Sequence, residues 1–222
     1  MSAVTDPAFW IPAVGAVAFT IDDWDEKVSD WAIDHHPLFG SEDGADRASD
    51  IFEAALGVAA LTTFIVAPED ERRRGPLRDT YLYRGLVELG AFGASTGVAE
   101  LLKETVDRRK PDSLFVEASF PSGHVTESSS FRTLLSRNVA RLDPSPAARI
   151  TAEAGSQVTL GLVAWARIEA GEHFPSDVLA GAAIGNFVTA FIHDFLLGQP
   201  EDIDLGVEVQ QGTVMAGVTL RF

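Results

Sequence analysis

Residues Ala166–Asp177 read ARIEAGEHFPSD, and the order of a guanidinium, an imidazole and a carboxylate in that stretch is the point from which the rest of the chain is read. Arg167 precedes His173 by six residues and Asp177 follows it by four, while Pro175 stands ready for the first position of a new helix. An imidazole just ahead of a helix and a carboxylate in that helix's first turn can meet. Asp177 can then hold one ring nitrogen of His173 and leave the other unprotonated for attack. Taken alone, the stretch reads equally as a loop histidine followed by an aspartate that complements the helix dipole.

Working outward, PSGH at Pro121–His124 places a proline and a glycine just before a predicted helix. Such a turn leaves the amides of Ser122 and Gly123 free to point at an anion, as helix N-termini do when they bind phosphate. Further upstream, KETVDRRKP spans Lys103–Pro111 and holds two of the three lysines in the chain. Lys103 and Lys110 are seven residues apart, about two helical turns, so a continuing helix would put them on one face. Arg108 and Arg109 between them read as a solvated helix end.

In order, the three segments resemble the signature of the type 2 phosphatidic acid phosphatases and the related vanadium-dependent haloperoxidases: Lys-x6-Arg-Pro, then Pro-Ser-Gly-His, then Ser-Arg-x5-His-x3-Asp. The resemblance runs from Lys103 to Asp177, about a third of the chain. It implies a mainly α fold, a helical bundle of that phosphatase and haloperoxidase kind. It implies that Lys103, Lys110, Ser122, Gly123 and Arg167 bind phosphate oxygens, that His124 is the general acid, and that His173 is the nucleophile, oriented by Asp177. It implies a phosphatase acting on a phosphomonoester or diphosphate through a phosphohistidine, with a phosphorylated small molecule or a lipid as partner; the Trp-rich N-terminus and the long apolar helices favour lipid phosphate. Neither a metal nor an organic cofactor is called for, and vanadate would bind as a phosphate mimic. Two positions depart from the pattern: Lys110 stands for arginine, keeping the charge without the bidentate fork, and Ala166 stands for serine. The rival readings are a vanadate-dependent haloperoxidase and a catalytically weak anion-binding protein. Val125 and Thr126 follow His124 where the former would want a further histidine.

The flanks are predicted to be helical. Helices are expected from Ile51 to before Pro68, from Leu77 to Arg109, from His124 toward Leu142, from Ala147 to Ile168, and after Pro175. Ser49 or Asp50 would cap the first of these. The small residues of GAFGASTG at 90–97 would let a neighbouring helix approach closely. EDERRRGP at 69–76 reads as a charged linker whose Arg72, Arg73 and Arg74 sit in a solvated turn. Alternating residues in LGVEV and VMAGVTLRF read as a short C-terminal β-hairpin packed on the helices. The organisation expected is one domain over 1–222, with an N-terminal wrap over 1–50, a helical catalytic core over 51–198 and the hairpin over 203–222.

Composition bounds the function. With 33 acidic and 17 basic residues the net charge is −16, which excludes a nucleic-acid partner and makes any phosphate site a local cationic exception. Cysteine is absent, so thiolate chemistry is excluded. Glu53, Glu88 and Glu100 interrupt the longest apolar stretches, and none reaches about 18 unbroken apolar residues. With a mean hydropathy of +0.10, the chain reads as a soluble helical domain, at most resting peripherally on a membrane. No signal peptide is visible after Met1. A periplasmic or membrane-associated location is what the resemblance implies. His35, His36 and His193 read as structural or exposed.

Overall fold

The computed structural model describes residues 3–68, 81–112 and 118–197, together with the backbone of 203–210 and 213–220. A single 3-10 turn at Ala3–Thr5 leads into α1 (Pro7–Phe19), which opens with Pro7 and is capped by Asp6, whose carboxylate accepts from the Ala8 N–H at 2.9 Å. α2 (Trp24–His35) follows and packs on α6 and α7. α3 (Glu42–Val66) begins well before the expected Ser49 or Asp50, because Ser41 Oγ accepts from the Gly44 N–H at 3.0 Å and supplies the cap. α5 (Gly123–Arg141), α6 (Pro146–Glu169) and α7 (Pro175–Leu197) agree with expectation to within a residue or two.

α4 (Tyr81–Thr105) does not. It stops four residues short of Arg109, so Lys103 and Lys110 do not share a helical face. Proline at 111 pushes the residue before it out of the α region. The backbone turns instead, pairing Arg109 with Ala118 in a single antiparallel bridge, and the Ser119 N–H donates to the Arg108 carbonyl at 2.7 Å.

α7 is the central helix. α5, α1 and α4 pack along it, and α3 closes the other side against α5 and α6. The core is built from Leu56, Val125, Leu160, Val163, Ile168 and Val178, with Phe52, Phe131 and Trp165 packed on it. Two glycines decide how close α5 comes. A β-carbon at Gly181 would lie 2.6 Å from the Ser122 carbonyl oxygen, and one at Gly185 would lie 2.3 Å from that of Thr126. Only glycine allows this contact between backbones. The approach expected at GAFGASTG is different. Gly90, Gly93 and Gly97 meet no neighbouring atom where a β-carbon would sit, whereas Ala91 and Ser95 are buried, with Ser95 Oγ 2.7 Å from Ser130 Oγ on α5.

The expectation of a soluble domain is corrected. α3, α4 and α7 are each long and apolar enough to cross a membrane, and only 17% of the most apolar window of α3 is buried within the protein. Ile51, Val58, Leu61 and Ile65 on α3, Leu82, Leu86 and Leu89 on α4, and Phe191 and Phe195 on α7 are all exposed. Lipid, not water, suits such a surface, and membrane association follows. The charges that break the apolar runs in sequence point mostly inward. Glu88 is buried, accepts from Asn138 Nδ2 at 3.1 Å and lies 3.8 Å from Arg84 Nε, while the terminal nitrogens of Arg84 donate to the carbonyls of Phe64, Ala67 and Pro68 at the end of α3. Glu53 is largely covered as well. Counting charges along a run cannot tell which face carries them.

The supported architecture is mainly helical. The C-terminal hairpin stays an expectation: the backbones of Ile203–Gln210 and Thr213–Leu220 pair antiparallel, but none of the extensive contacts between elements joins them to a helix. Arg72, Arg73 and Arg74 lie outside the described residues.

Candidate active site

The turn between α6 and α7 carries His173 into the protein. Its ring is buried, and Nδ1 lies 2.7 Å from the backbone carbonyl of Ser119. A carbonyl oxygen only accepts, so Nδ1 carries the proton and Nε2 is left with a bare lone pair. Burial holds the imidazole well below its ordinary pKa, the Arg167 guanidinium pushes in the same direction, and Lys103 and Lys110 add to it, against the raising effect of the Ser119 hydrogen bond. His173 is therefore neutral at neutral pH, and three of the cations named from sequence act on it.

Asp177 does not hold the ring, contrary to expectation. It sits in the first turn of α7, where Oδ2 accepts from the Phe174 N–H at 2.9 Å and from Ser119 Oγ at 2.5 Å, while Oδ1 accepts from Arg108 at 2.6 Å. The geometry of the turn explains the difference, since the carboxylate caps the helix start and so reaches back to Phe174. Its influence on His173 passes through Ser119, whose hydroxyl it binds and whose carbonyl receives the ring.

Two residues behind this arrangement were not legible as site residues. Arg108, read from sequence as a solvated helix end, donates to Asp177, to Ser176 Oγ at 2.6 Å and to Asp25 at 2.8 Å, and its guanidinium lies 4.1 Å from the centre of the Phe174 ring. Asp25, at the start of α2, is buried and also accepts from the Ser176 N–H at 2.8 Å. Nothing in the sequence separates Asp25 from the many other carboxylates. Arg108 could have been suspected from its place inside the lysine segment.

The phosphate-binding candidates gather around the same turn. Lys103 ends α4 with its ammonium against Gly123, where a β-carbon would lie 3.0 Å from Nζ. Arg167, in the last turn of α6, donates to Asp46 and to Ser49 Oγ at 3.2 Å, and its second terminal nitrogen lies 3.1 Å from Glu172. Lys110 Nζ lies 2.7 Å from the same Glu172 oxygen, and Lys103 Nζ 2.7 Å from Glu100. Two buried donors, Arg167 Nε and Ser122 Oγ, have no hydrogen-bond partner among the described residues. Ser122 N–H is not free to face an anion as expected. It donates to the Asp177 carbonyl at 3.1 Å and ties the start of α5 to α7.

His124 belongs to a different environment. It stands in the first turn of α5 with its side chain 39% exposed, Nε2 lying 3.2 Å from Asp50 and 4.0 Å from Glu53. It borders an open cleft of about 400 Å³ lined by Asp50, Glu53, Ala54, Gly57, Val58 and Leu61 of α3 and by Phe131 of α5. The cleft is polar at the His124 end, where Asp50 and Glu53 stand, and apolar beyond.

A family model described as the PAP2 superfamily matches residues 85–199, which include every site residue named from sequence and leave out Asp25, Asp46, Asp50 and Glu53. The decaprenylphosphoryl-5-phosphoribose phosphatases of two Mycobacterium tuberculosis strains, CDC 1551 / Oshkosh and ATCC 25618 / H37Rv, are 32% identical over 111 residues, covering 46% of this chain. The matched stretch spans only 55% of those relatives' length. Among solved structures, a transmembrane PAP2-type phosphatidylglycerolphosphate phosphatase from Bacillus subtilis superposes with a TM-score of 0.62 at 22% identity, over 87% of this chain and 95% of that one. The last comparison concerns the fold.

Proposed function

This chain belongs to the PAP2 superfamily, and on that premise we propose that it is a membrane-embedded phosphatase that hydrolyses a lipid phosphate through a phosphohistidine. His173 Nε2 attacks phosphorus in line, forming a P–N bond as the P–O bond to the leaving group breaks, and His124 gives its proton to the departing alkoxide. Water then attacks the phosphohistidine, surrenders a proton to His124, and orthophosphate leaves with cleavage of the P–N bond. Negative charge spread over the equatorial oxygens is met by Lys103, Lys110, Arg167 and Ser122 Oγ. Gly123 contributes by its smallness, which lets the Lys103 ammonium come close. Asp177 positions the nucleophile through Ser119. The scheme needs neither metal nor organic cofactor, and vanadate is expected to bind as an inhibitor.

The observation that carries this reading is His173 itself: buried, with Nδ1 pinned by a carbonyl, and kept neutral by burial and by the charges of Arg167, Lys103 and Lys110. A lipid substrate is favoured by the apolar cleft beside His124 and by the exposed apolar faces of α3 and α4. We place the site on the extracytoplasmic side. Asp46, Asp50 and Lys103 lie at the end of the bundle opposite the α3–α4 connection, which carries Arg72, Arg73, Arg74 and Arg78, and connections rich in arginine stay in the cytoplasm.

The test is a panel of lipid and soluble phosphate esters with the detergent-solubilised chain, followed by rapid quench with radiolabelled substrate. An acid-labile, alkali-stable phosphoenzyme that is missing in His173→Ala is the expected result. Phosphate binding without turnover in the wild type would instead identify an anion-binding protein.

A further inference from the structure

Glu172, the residue just before the nucleophile, is absent from the scheme above, yet one of its carboxylate oxygens touches two of the cations meant for phosphate. Oε2 lies 2.7 Å from Lys110 Nζ and 3.1 Å from a terminal nitrogen of Arg167. One oxygen between an ammonium and a guanidinium at these distances has the geometry of a phosphate oxygen in the same place. We propose that Glu172 is an internal competitor for the phosphate seat: it occupies the Lys110–Arg167 pair when no substrate is bound and must swing aside for a phosphoryl group to enter. The proposal rests on the phosphatase reading and goes beyond it by naming a residue that determines which phosphates are held.

The local backbone suits such a swing. Gly171 takes a left-handed conformation (φ +69°), its N–H donates to the Ile168 carbonyl, and the N–H groups of Glu172 and His173 both donate to the Arg167 carbonyl at 3.2 Å. The main chain is thus tied to the end of α6, and only the Glu172 side chain, 31% exposed, has to move. His173 stays in place while it does. Of the Arg167 donors, one terminal nitrogen is held by Asp46 and Ser49, Nε is buried without a hydrogen-bond partner among the described residues, and the other terminal nitrogen becomes available to an anion once Glu172 leaves it. Free orthophosphate has to displace Glu172 using charge alone, whereas an esterified lipid adds the contacts of its tail. The carboxylate therefore discriminates against orthophosphate and speeds its release after each turnover.

The experiment compares wild type, Glu172→Gln and Glu172→Asp as full-length, detergent-solubilised chains, with orthophosphate as the probe. Competitive inhibition by orthophosphate and its direct binding by calorimetry are both measured. Glutamine keeps the size and removes the charge, so orthophosphate should bind about tenfold more tightly. Aspartate keeps the charge but is one methylene too short to bridge both cations, and should tighten binding by a smaller factor. Unchanged or weaker orthophosphate binding in Glu172→Gln, with the wild type active, overturns the inference and leaves the phosphatase reading standing. A wild type that turns over no phosphate ester defeats that reading, and the calorimetric comparison still decides the role of Glu172. Loss of folding would only weaken binding, so tightening cannot come from structural damage.

Discussion

Around His173 the polar groups are bound to one another in a chain: Asp25 to Arg108 and Ser176, Arg108 to Asp177, Asp177 to Ser119, and Ser119 to the ring. Around His124 there is an open cleft with two carboxylates at its polar end and hydrocarbon along its length. The difference teaches how the work is divided. A nucleophile has to be aimed before the substrate arrives, and a closed hydrogen-bond network in a buried place achieves that without reorganisation during the reaction. A proton donor serving variable leaving groups beside a membrane needs access, which a closed network would deny. In the proposed reaction the first wall is preorganised, and the second would be completed by the substrate.

The comparison is broken most directly at the nucleophile. Replacing His173 by alanine should lower turnover by about 10⁴-fold on lipid and soluble esters alike, measured by phosphate release, and retention of more than a few per cent would mean that the buried wall is not catalytic. His124→Ala should cost on the order of 10²- to 10³-fold with an alkyl phosphate and far less with a nitrophenyl phosphate, whose leaving group needs little protonation. Equal losses on both esters would show that His124 is not the acid.

Smaller effects sharpen the picture. Asp25→Asn weakens the far end of the network without touching substrate, and kcat should fall about tenfold with KM little changed. A rise in KM with kcat intact would assign Asp25 to binding instead. On the open wall, Gly57→Leu projects a side chain toward Phe131, from which a β-carbon would be only 3.4 Å away. The ratio of lipid to soluble turnover should drop several-fold, and an unchanged ratio would remove the cleft from substrate binding. The smallest expected effect is that of pH. In the proposed mechanism His173 attacks as the neutral imidazole; burial lowers its pKa, so that form persists as pH falls through the ordinary histidine range near 6.5 and is lost only below it. Between pH 7 and 6 the kcat/KM of wild type should show no acid-side fall from loss of the nucleophile. A steep acid limb centred near 6.5 would mean an exposed, unperturbed nucleophile.

Legibility in the sequence followed the kind of information each feature needs. Helices α5, α6 and α7 were readable because their signals are local, a Pro-Ser-Gly turn and a proline at the first position of each of the last two. The partner of Asp177 is not fixed by sequence, because the spacing from His173 is compatible with contact without requiring it, and a helix-capping geometry takes the carboxylate elsewhere. Asp25 was invisible because its role depends on a contact across more than eighty positions to Arg108. Membrane association agrees with what the resemblance implies, but the membrane-crossing length of α3 and α4 is not legible in the sequence, because the covering of Glu53 and Glu88 is a property of faces, whereas a run is a property of order.

What the linear chain determines by itself is the chemistry available: two histidines in characteristic settings, a small set of cations in an otherwise acidic protein, and turns that start helices beside them. Only the packed helices decided which carboxylate answers which cation, which histidine is closed in, and which apolar surface is left for lipid. Residue types and short spacings act within a turn or two of backbone. Burial and long-range pairing arise only when Gly181 and Gly185 let α5 settle on α7 and bring distant segments within hydrogen-bond reach.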